Sequence, residues 1–140
     1  VRYIGITTSF APQYAEFEAV MRAEQLDFVQ LNYSLGERES AKVLLPLARD
    51  RGMATLINRP FMRAELFRRV EGKPLPAWAA DIGCTSWAQV FLKWIIAHPD
   101  VTCVIPASAR PANMRDNMQA GFGDLPDAAL QARIVAEVMG

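Results

Sequence analysis

Two hydrophobic periods alternate along this chain: short apolar runs rich in β-branched residues, and longer stretches whose apolar residues recur every three or four positions. Four of the short runs read as strands, from Tyr3 to Thr7, Phe28 to Tyr33, Ala54 to Asn58 and Val101 to Ile105. Pro12 opens a helix after the first, with Tyr14, Phe17, Val20 and Met21 as its inward stripe. After the second, Gly36 turns the chain into a helical segment that reaches Arg51. Pro46 within it predicts that the regular helix begins near Leu45, with a separate turn before it. Gly52 stands where a left-handed C-terminal cap belongs.

The third strand leads into a long connection, from Arg59 to about Cys84, with Pro60, Gly72, Pro74 and Pro76 and a helical patch from Arg63 to Arg69. Its charges, Arg63, Glu65, Arg68, Arg69 and Glu71, read as a solvated face. The next helix starts at Thr85 or Ser86, where Ser86-Trp87-Ala88-Gln89 matches a capping box. It runs through Val90, Phe91, Leu92, Trp94, Ile95 and Ile96, apolar nearly all round, and so must be covered on more than one side. Pro111 opens a helix after the fourth strand. Leu125-Pro126-Asp127 begins a last one, with Leu130, Ile134, Val135 and Val138 inward. There is no repeat of solenoid length and no low-complexity tract.

Strands alternating with helices argue for parallel strands joined by right-handed crossovers. The pattern alone leaves an open doubly wound sheet and a barrel segment as alternatives. At 140 residues the chain fits a single domain, 1–140, and its 51% hydrophobic content suits strands covered on both faces. A net charge of zero gives no footprint for nucleic acid or an anionic membrane. No apolar run is long enough to span a bilayer and no signal peptide opens the chain, so the expectation is a soluble, cytoplasmic protein. The first residue is Val1, and Arg2 to Ile6 already reads as a core strand, so a piece of a longer protein is expected.

Cys84 and Cys103 have no metal-ligand spacing, and Cys103 reads as a small core hydrophobe. His98 ends a helix before Pro99-Asp100, where it is expected to cap carbonyls or to favour the helix dipole. No catalytic partner set surrounds it in sequence. The most informative stretch is VIPASARPANMRDN, Val104 to Asn117. A strand ends at Pro106, small residues follow, and Pro111 starts a helix whose free N–H groups form a ready anion site. Ser108 can add a hydroxyl to a phosphate there. The alternative is an ordinary strand-to-helix loop.

In order, RYIGITTS, DFVQLNYSL, GMATLINRPF, TSWAQVFLKWIIAHPDV and VIPASARPANMRDN resemble the second half of an aldo-keto reductase, over nearly the whole chain. The resemblance implies an α/β fold that is half of a TIM-type (β/α)8 barrel: four parallel βα units plus a C-terminal helix. In such barrels chemistry gathers at the C-terminal strand ends, with phosphate bound after the last two. It implies an oxidoreductase that moves hydride between a nicotinamide cofactor, usually NADPH with NADH possible, and a carbonyl or alcohol. Thr7 and Thr8 match positions where the family often has Ser-Asn on the nicotinamide carboxamide, and Gln30 matches a glutamine on the same group. Asn58 stands where relatives place an aromatic that stacks on the nicotinamide. Arg59 matches a pyrophosphate contact, with a salt bridge across the barrel mouth as the alternative.

Ser108 and Asn117 match phosphate and adenine contacts, and Asp116 replaces a common glutamate. Ala107 and Asn113 replace the lysine and arginine that hold the 2′-phosphate of NADPH, a role that Arg110 or Arg115 could take. The resemblance also places the long connection after the third strand over the cofactor. The family's catalytic tyrosine, lysine, aspartate and histidine belong to the absent half, and Tyr3, Tyr14 and Tyr33 do not match that tyrosine. No catalytic residue and no metal is therefore expected in this chain. A small carbonyl substrate is expected through the parent enzyme, with neither nucleic acid nor membrane as partner. Unpaired first and last strands predict a homodimer or pairing with the missing N-terminal half. The alternatives are a non-catalytic α/β binding or structural domain that kept the architecture, and a different phosphate-binding α/β enzyme.

Overall fold

The computed structural model describes residues 1–140. Strands β1 (Gly5–Thr7), β2 (Phe28–Asn32), β3 (Ala54–Asn58) and β4 (Cys103–Val104) form one sheet in the order β1-β2-β3-β4, every pair parallel. Helix α1 (Tyr14–Ala23) follows β1 and α2 (Leu44–Asp50) follows β2. Between β3 and β4 lie α3 (Glu65–Arg69) and α4 (Trp87–Ile96), and α5 (Pro111–Gln119) and α6 (Ala128–Met139) close the chain. No helix is long and apolar enough to cross a membrane.

Burial alternates along β2 and β3, as strand geometry requires. Val29, Leu31 and Ile57 are wholly buried in a core shared with the helices. Phe28, Gln30, Ala54 and Leu56 point the other way and stay half-exposed. Strands covered on both faces were expected; within this chain the helices cover only one. Cys103 also stays half-buried rather than entering the core.

The end strands are shorter than their apolar runs. Tyr3 and Ile4 stay exposed; the Ile4 amide donates to Asp27 Oδ2 at 2.9 Å, while its carbonyl accepts from the Asp27 and Phe28 amides just ahead of the strand. A Cβ on Gly5 would lie 2.5 Å from the Phe28 carbonyl oxygen, so glycine is what lets β1 approach β2 this closely. Ahead of β4, side chains replace the ladder: Thr55 N–H donates to Thr102 Oγ1 at 2.9 Å, and Thr102 N–H to Thr55 Oγ1 at 2.8 Å. β2 stops at Asn32, one residue before the expected end.

Pro12 sits in a 3-10 turn, Ala11–Gln13, so the α-helix proper begins at Tyr14. Phe17 and Met21 of its stripe are buried, while Tyr14 and Val20 are half-buried. A 3-10 turn, Glu39–Lys42, precedes α2, in line with the Pro46 argument, and Gly52 has φ +69°. The helical patch after β3 starts only at Glu65, because Met62, Arg63 and Ala64 all have positive φ. A 3-10 turn at Ala77–Ile82, absent from the sequence reading, buries Trp78, Ala79 and Ile82. Ala88 to Ile95 of α4 are buried without a break, so the all-round apolar helix is indeed covered on several sides. At the start of α6, the Asp127 carboxylate accepts from Leu130 N–H at 2.8 Å. Ile134 and Val138 are buried beneath the helix, with Leu130 and Val135 half-buried beside them.

His98 does not cap carbonyls. Its Nδ1 accepts the Asp100 N–H at 3.2 Å, and its ring stands edge-on to Tyr33 with centroids 5.3 Å apart. Burial lowers its pKa from 6.5, against a smaller opposing pull from Asp100.

Candidate functional site

A cleft of about 730 Å³ opens beside the C-terminal ends of β3 and β4. One wall is the turn after β3, with Arg59, Pro60, Phe61, Arg63 and Ala64, backed by Phe67 of α3. The other is the loop after β4 and the outer face of α5, with Ile105, Ala107, Ser108, Asn113, Asp116 and Asn117; Ser86, Trp87 and Ala88 at the start of α4 close the back. Five of the ten expected site residues, Arg59, Ser108, Asn113, Asp116 and Asn117, therefore meet in one cavity, which a parallel sheet with its loops at one end makes possible.

The turn that forms the first wall is strained. Arg59, Met62, Arg63 and Ala64 have φ of 50°, 50°, 53° and 74°, and none is glycine. Each such residue costs on the order of 1–3 kcal/mol and persists only where its surroundings over-determine it. Here the Met62 amide donates to the Arg59 carbonyl at 2.9 Å, and Glu65 N–H to the Met62 carbonyl at 3.1 Å. Leu66 just beyond is wholly buried. The Met62 sulfur lies 2.5 Å from where Gly36 would carry a Cβ, so the side chain seats on bare backbone. Phe61 packs on Phe67 (centroids 4.9 Å), Phe67 on Phe91 (5.6 Å) and Trp87 on Phe91 (5.8 Å). The back of the cleft is an aromatic floor.

Charge in the cleft is mostly tied down. The Arg59 guanidinium donates to the Ser9 carbonyl at 2.5 Å and pairs with Glu37 at 3.2 Å, the salt bridge kept open as an alternative above. Asp116 accepts from Ser86 Oγ at 2.6 Å and from Gln89 Nε2 at 2.6 Å. Ser86 also caps α4, accepting from Gln89 N–H at 3.2 Å. The capping box is therefore rearranged: Gln89 Oε1 accepts from the Thr85 amide at 2.8 Å rather than from that of Ser86. Ser108 Oγ accepts the Arg110 N–H at 3.2 Å, forming a turn that leads into α5. Arg110 is exposed and outside the cleft, as is Arg115.

The other expected residues gather at the ends of β1, β2 and β3. Thr7 is paired in register with Gln30, and Thr8 N–H donates to the Gln30 carbonyl at 2.9 Å. The Gln30 side chain is half-exposed on the open sheet face and makes no hydrogen bond within the chain. Thr8 turns inward, its hydroxyl donating to Gln13 Oε1 at 2.9 Å. Asn58 is nine-tenths buried; its amide donates to the Thr8 carbonyl at 3.0 Å, and its Oδ1 has no partner. Tyr14 and Tyr33 are poor candidates for proton transfer. Burial and then Glu37 raise the Tyr14 phenol, and burial pushes Tyr33 up to about 12.

Sequence reasoning missed two residues of this region. Arg63 was read as part of a solvated face, and only the left-handed turn brings it to the cleft wall. Trp87 was read only as part of the capping box, yet it lines the cleft, a position that the helical period alone does not resolve.

Residues 1–133 match the model of the aldo/keto reductase family. Among curated proteins the chain is 28% identical to pyridoxine 4-dehydrogenase of Escherichia coli, over 86% of this chain and 39% of that protein. It is 24% identical to the NADH-specific methylglyoxal reductase of the same organism, over 99% of this chain and 50% of that protein. Its fold is similar to an aldo-keto reductase from Bacillus halodurans in holo and apo forms, with TM-scores of 0.70 and 0.71 at 17% identity. Each match covers 98% of this chain but 50% and 51% of the solved ones. The chain thus spans about half the length, or less, of the relatives that it matches.

Proposed function

Because the chain belongs to the aldo/keto reductase family, we propose that it is the NAD(P)H-binding half of an oxidoreductase whose substrate is a small carbonyl or alcohol. The observation that carries the reading is the single cleft that collects Arg59, Ser108, Asn113, Asp116 and Asn117. Its chemistry suits the adenosine and phosphate end of a dinucleotide: an aromatic floor for a flat base, a hydroxyl and free helix N–H groups for phosphate, and two amides, the exposed Asn113 and the buried Asn117, at the edge. Thr7, Thr8, Gln30 and Asn58 supply hydroxyl and amide groups at the neighbouring strand ends, where the nicotinamide carboxamide would be held. The unpartnered Asn58 Oδ1 is an acceptor that such an amide could use. When bound, the cofactor supplies the hydride; these residues hold and orient it. The general acid belongs to the other half of the barrel.

That half, or a second copy of this chain, covers the open face of the sheet around Phe28, Gln30, Ala54 and Leu56. NADPH is the first candidate cofactor. NADH stands beside it, because Ala107 and Asn113 carry no charge and one relative is named for NADH. A second reading, a non-catalytic domain that kept the architecture, draws on the engagement of Arg59 by Glu37 and of Asp116 by Ser86.

Trp87 lines the cleft, so its fluorescence reports binding directly. Titration with NADPH and NADH should quench it to saturation. Ser108→Ala should weaken binding by about 1 kcal/mol, the usual size of one hydrogen bond. No fluorescence change with either cofactor would favour the non-catalytic reading. Carbonyl reduction by this chain alone at about 1 per second, an ordinary enzymatic rate, would overturn the assignment of the general acid. Sedimentation should show a dimer, or a complex with the N-terminal half; a dilution-resistant monomer would contradict the covered face.

A further inference from the structure

Five charged or hydroxyl-bearing side chains, Arg59, Arg63, Ser86, Ser108 and Asp116, line the cleft, and all but one are already engaged. Arg59 is held by Glu37 and the Ser9 carbonyl. Asp116 is held by Ser86 and Gln89. The Ser108 hydroxyl closes its own turn with Arg110. Arg63 alone lines the cleft with a full charge and has neither ion pair nor hydrogen bond within the chain. Of the other arginines, Arg22, Arg49, Arg68 and Arg133 are paired with carboxylates elsewhere, and Arg110 and Arg115 lie outside the cavity.

The position of Arg63 is set by its backbone. It is the middle of three consecutive left-handed residues, a conformation that bulky side chains avoid. Met62 on one side is seated on Gly36, and Leu66 beyond is wholly buried, so the turn is clamped at both ends. The strain is confined to the segment that carries the one free cation to the wall opposite Ser108 and Asn113. A planar guanidinium with five donors suits phosphate oxygens, and the cleft's one carboxylate, Asp116, is already held by Ser86 and Gln89.

We propose that Arg63 is the phosphate-binding cation of this cleft. It does from the turn after β3 what Ala107 and Asn113, both uncharged, cannot do from the β4–α5 side. The proposal rests on the nucleotide reading above. Its ligand chemistry is a phosphate ester of an adenine nucleotide, and two groups could supply it: a 2′-phosphate or the 5′-diphosphate.

The test is equilibrium binding of three probes, adenosine 2′,5′-bisphosphate, ADP and adenosine, followed by Trp87 fluorescence. Asn tolerates the left-handed conformation, so Arg63→Asn removes the charge while keeping the turn. Arg63→Lys keeps the charge. Arg63→Asn should weaken at least one phosphorylated probe about tenfold, leave adenosine unchanged and flatten the salt dependence, and Arg63→Lys should restore most of the loss. A loss limited to the 2′,5′-bisphosphate assigns the 2′-phosphate and makes Arg63 a determinant of preference for NADPH. An equal loss for ADP assigns the diphosphate. If the parent chain binds the probes and Arg63→Asn binds them as tightly, the role of Arg63 is overturned while the nucleotide reading stands. If the parent chain binds none of them, both fall together.

Discussion

Ser86 and Asp116, thirty residues apart, join the back of the cleft to its wall: the serine hydroxyl donates to Asp116 Oδ2 at 2.6 Å. The same Ser86 oxygen accepts the Gln89 N–H that starts α4, and Gln89 Nε2 returns to Asp116 Oδ1. One carboxylate thereby fixes the position of α5 against the capped end of α4.

Asp116→Ala should cost about 1–3 kcal/mol of stability, because Gln89 is only 1% exposed and its Nε2 keeps Thr85 Oγ1 but loses its shorter acceptor without access to water. Ser86→Ala should cost about 1 kcal/mol through the cap. The two changes break one network, so the double variant should lose less than the sum. Urea denaturation of the three variants decides it; strict additivity would mean that the bonds are independent.

Lys93 is wholly buried on α4, where its ammonium donates to the carbonyls of Phe122, at 2.5 Å, and Asp124, at 2.8 Å. These bonds hold the α5–α6 connection, where Gly123 has φ +76° and lies close to the amine. Lys93→Ala leaves a cavity and two carbonyls without donors, for an expected loss of about 3 kcal/mol. Lys93→Met refills the volume and should recover part of it. In hydrogen exchange, amides of residues 121–125 should open faster in both variants. Protection equal to the parent's would show that the connection is held by other contacts.

His98 is neutral by preference in the fold, since burial penalises the imidazolium and Nδ1 serves as acceptor for the Asp100 amide. Its folded pKa lies below the 6.5 of an unfolded chain. The contribution of the neutral ring is fully present above 6.5 and is lost as pH falls through the lower folded value. The imidazole should titrate by NMR with a midpoint below 6.5. His98→Gln should flatten the fall in Tm between pH 7 and 5. A midpoint above 6.5 would mean that Asp100 outweighs burial.

The elements that local chemistry specifies were legible from the residues alone. β3 runs from Ala54 to Asn58 as its apolar run predicts, Pro46 marks the late start of α2, and Ser86 and Asp127 cap the helices that they precede. In each case the cause lies within four residues of its effect: a missing N–H, a short hydroxyl, an alternating face. The order of the strand and loop motifs likewise identified the family, because the motifs themselves are contiguous.

What depended on distant partners was out of reach. Nothing near Lys93 says that a lysine is buried there, since its acceptors lie about thirty residues away. The length of β4 was decided by Thr55, which satisfies Thr102 through side chains before the ladder begins. Arg63 looked like one more surface charge until a left-handed turn, held by Gly36 and Leu66, carried it to the cleft. The open sheet face follows the same logic. Alternation predicts which residues share a face, but only packing decides which face the helices take, because the free energy of burial belongs to both partners of a contact.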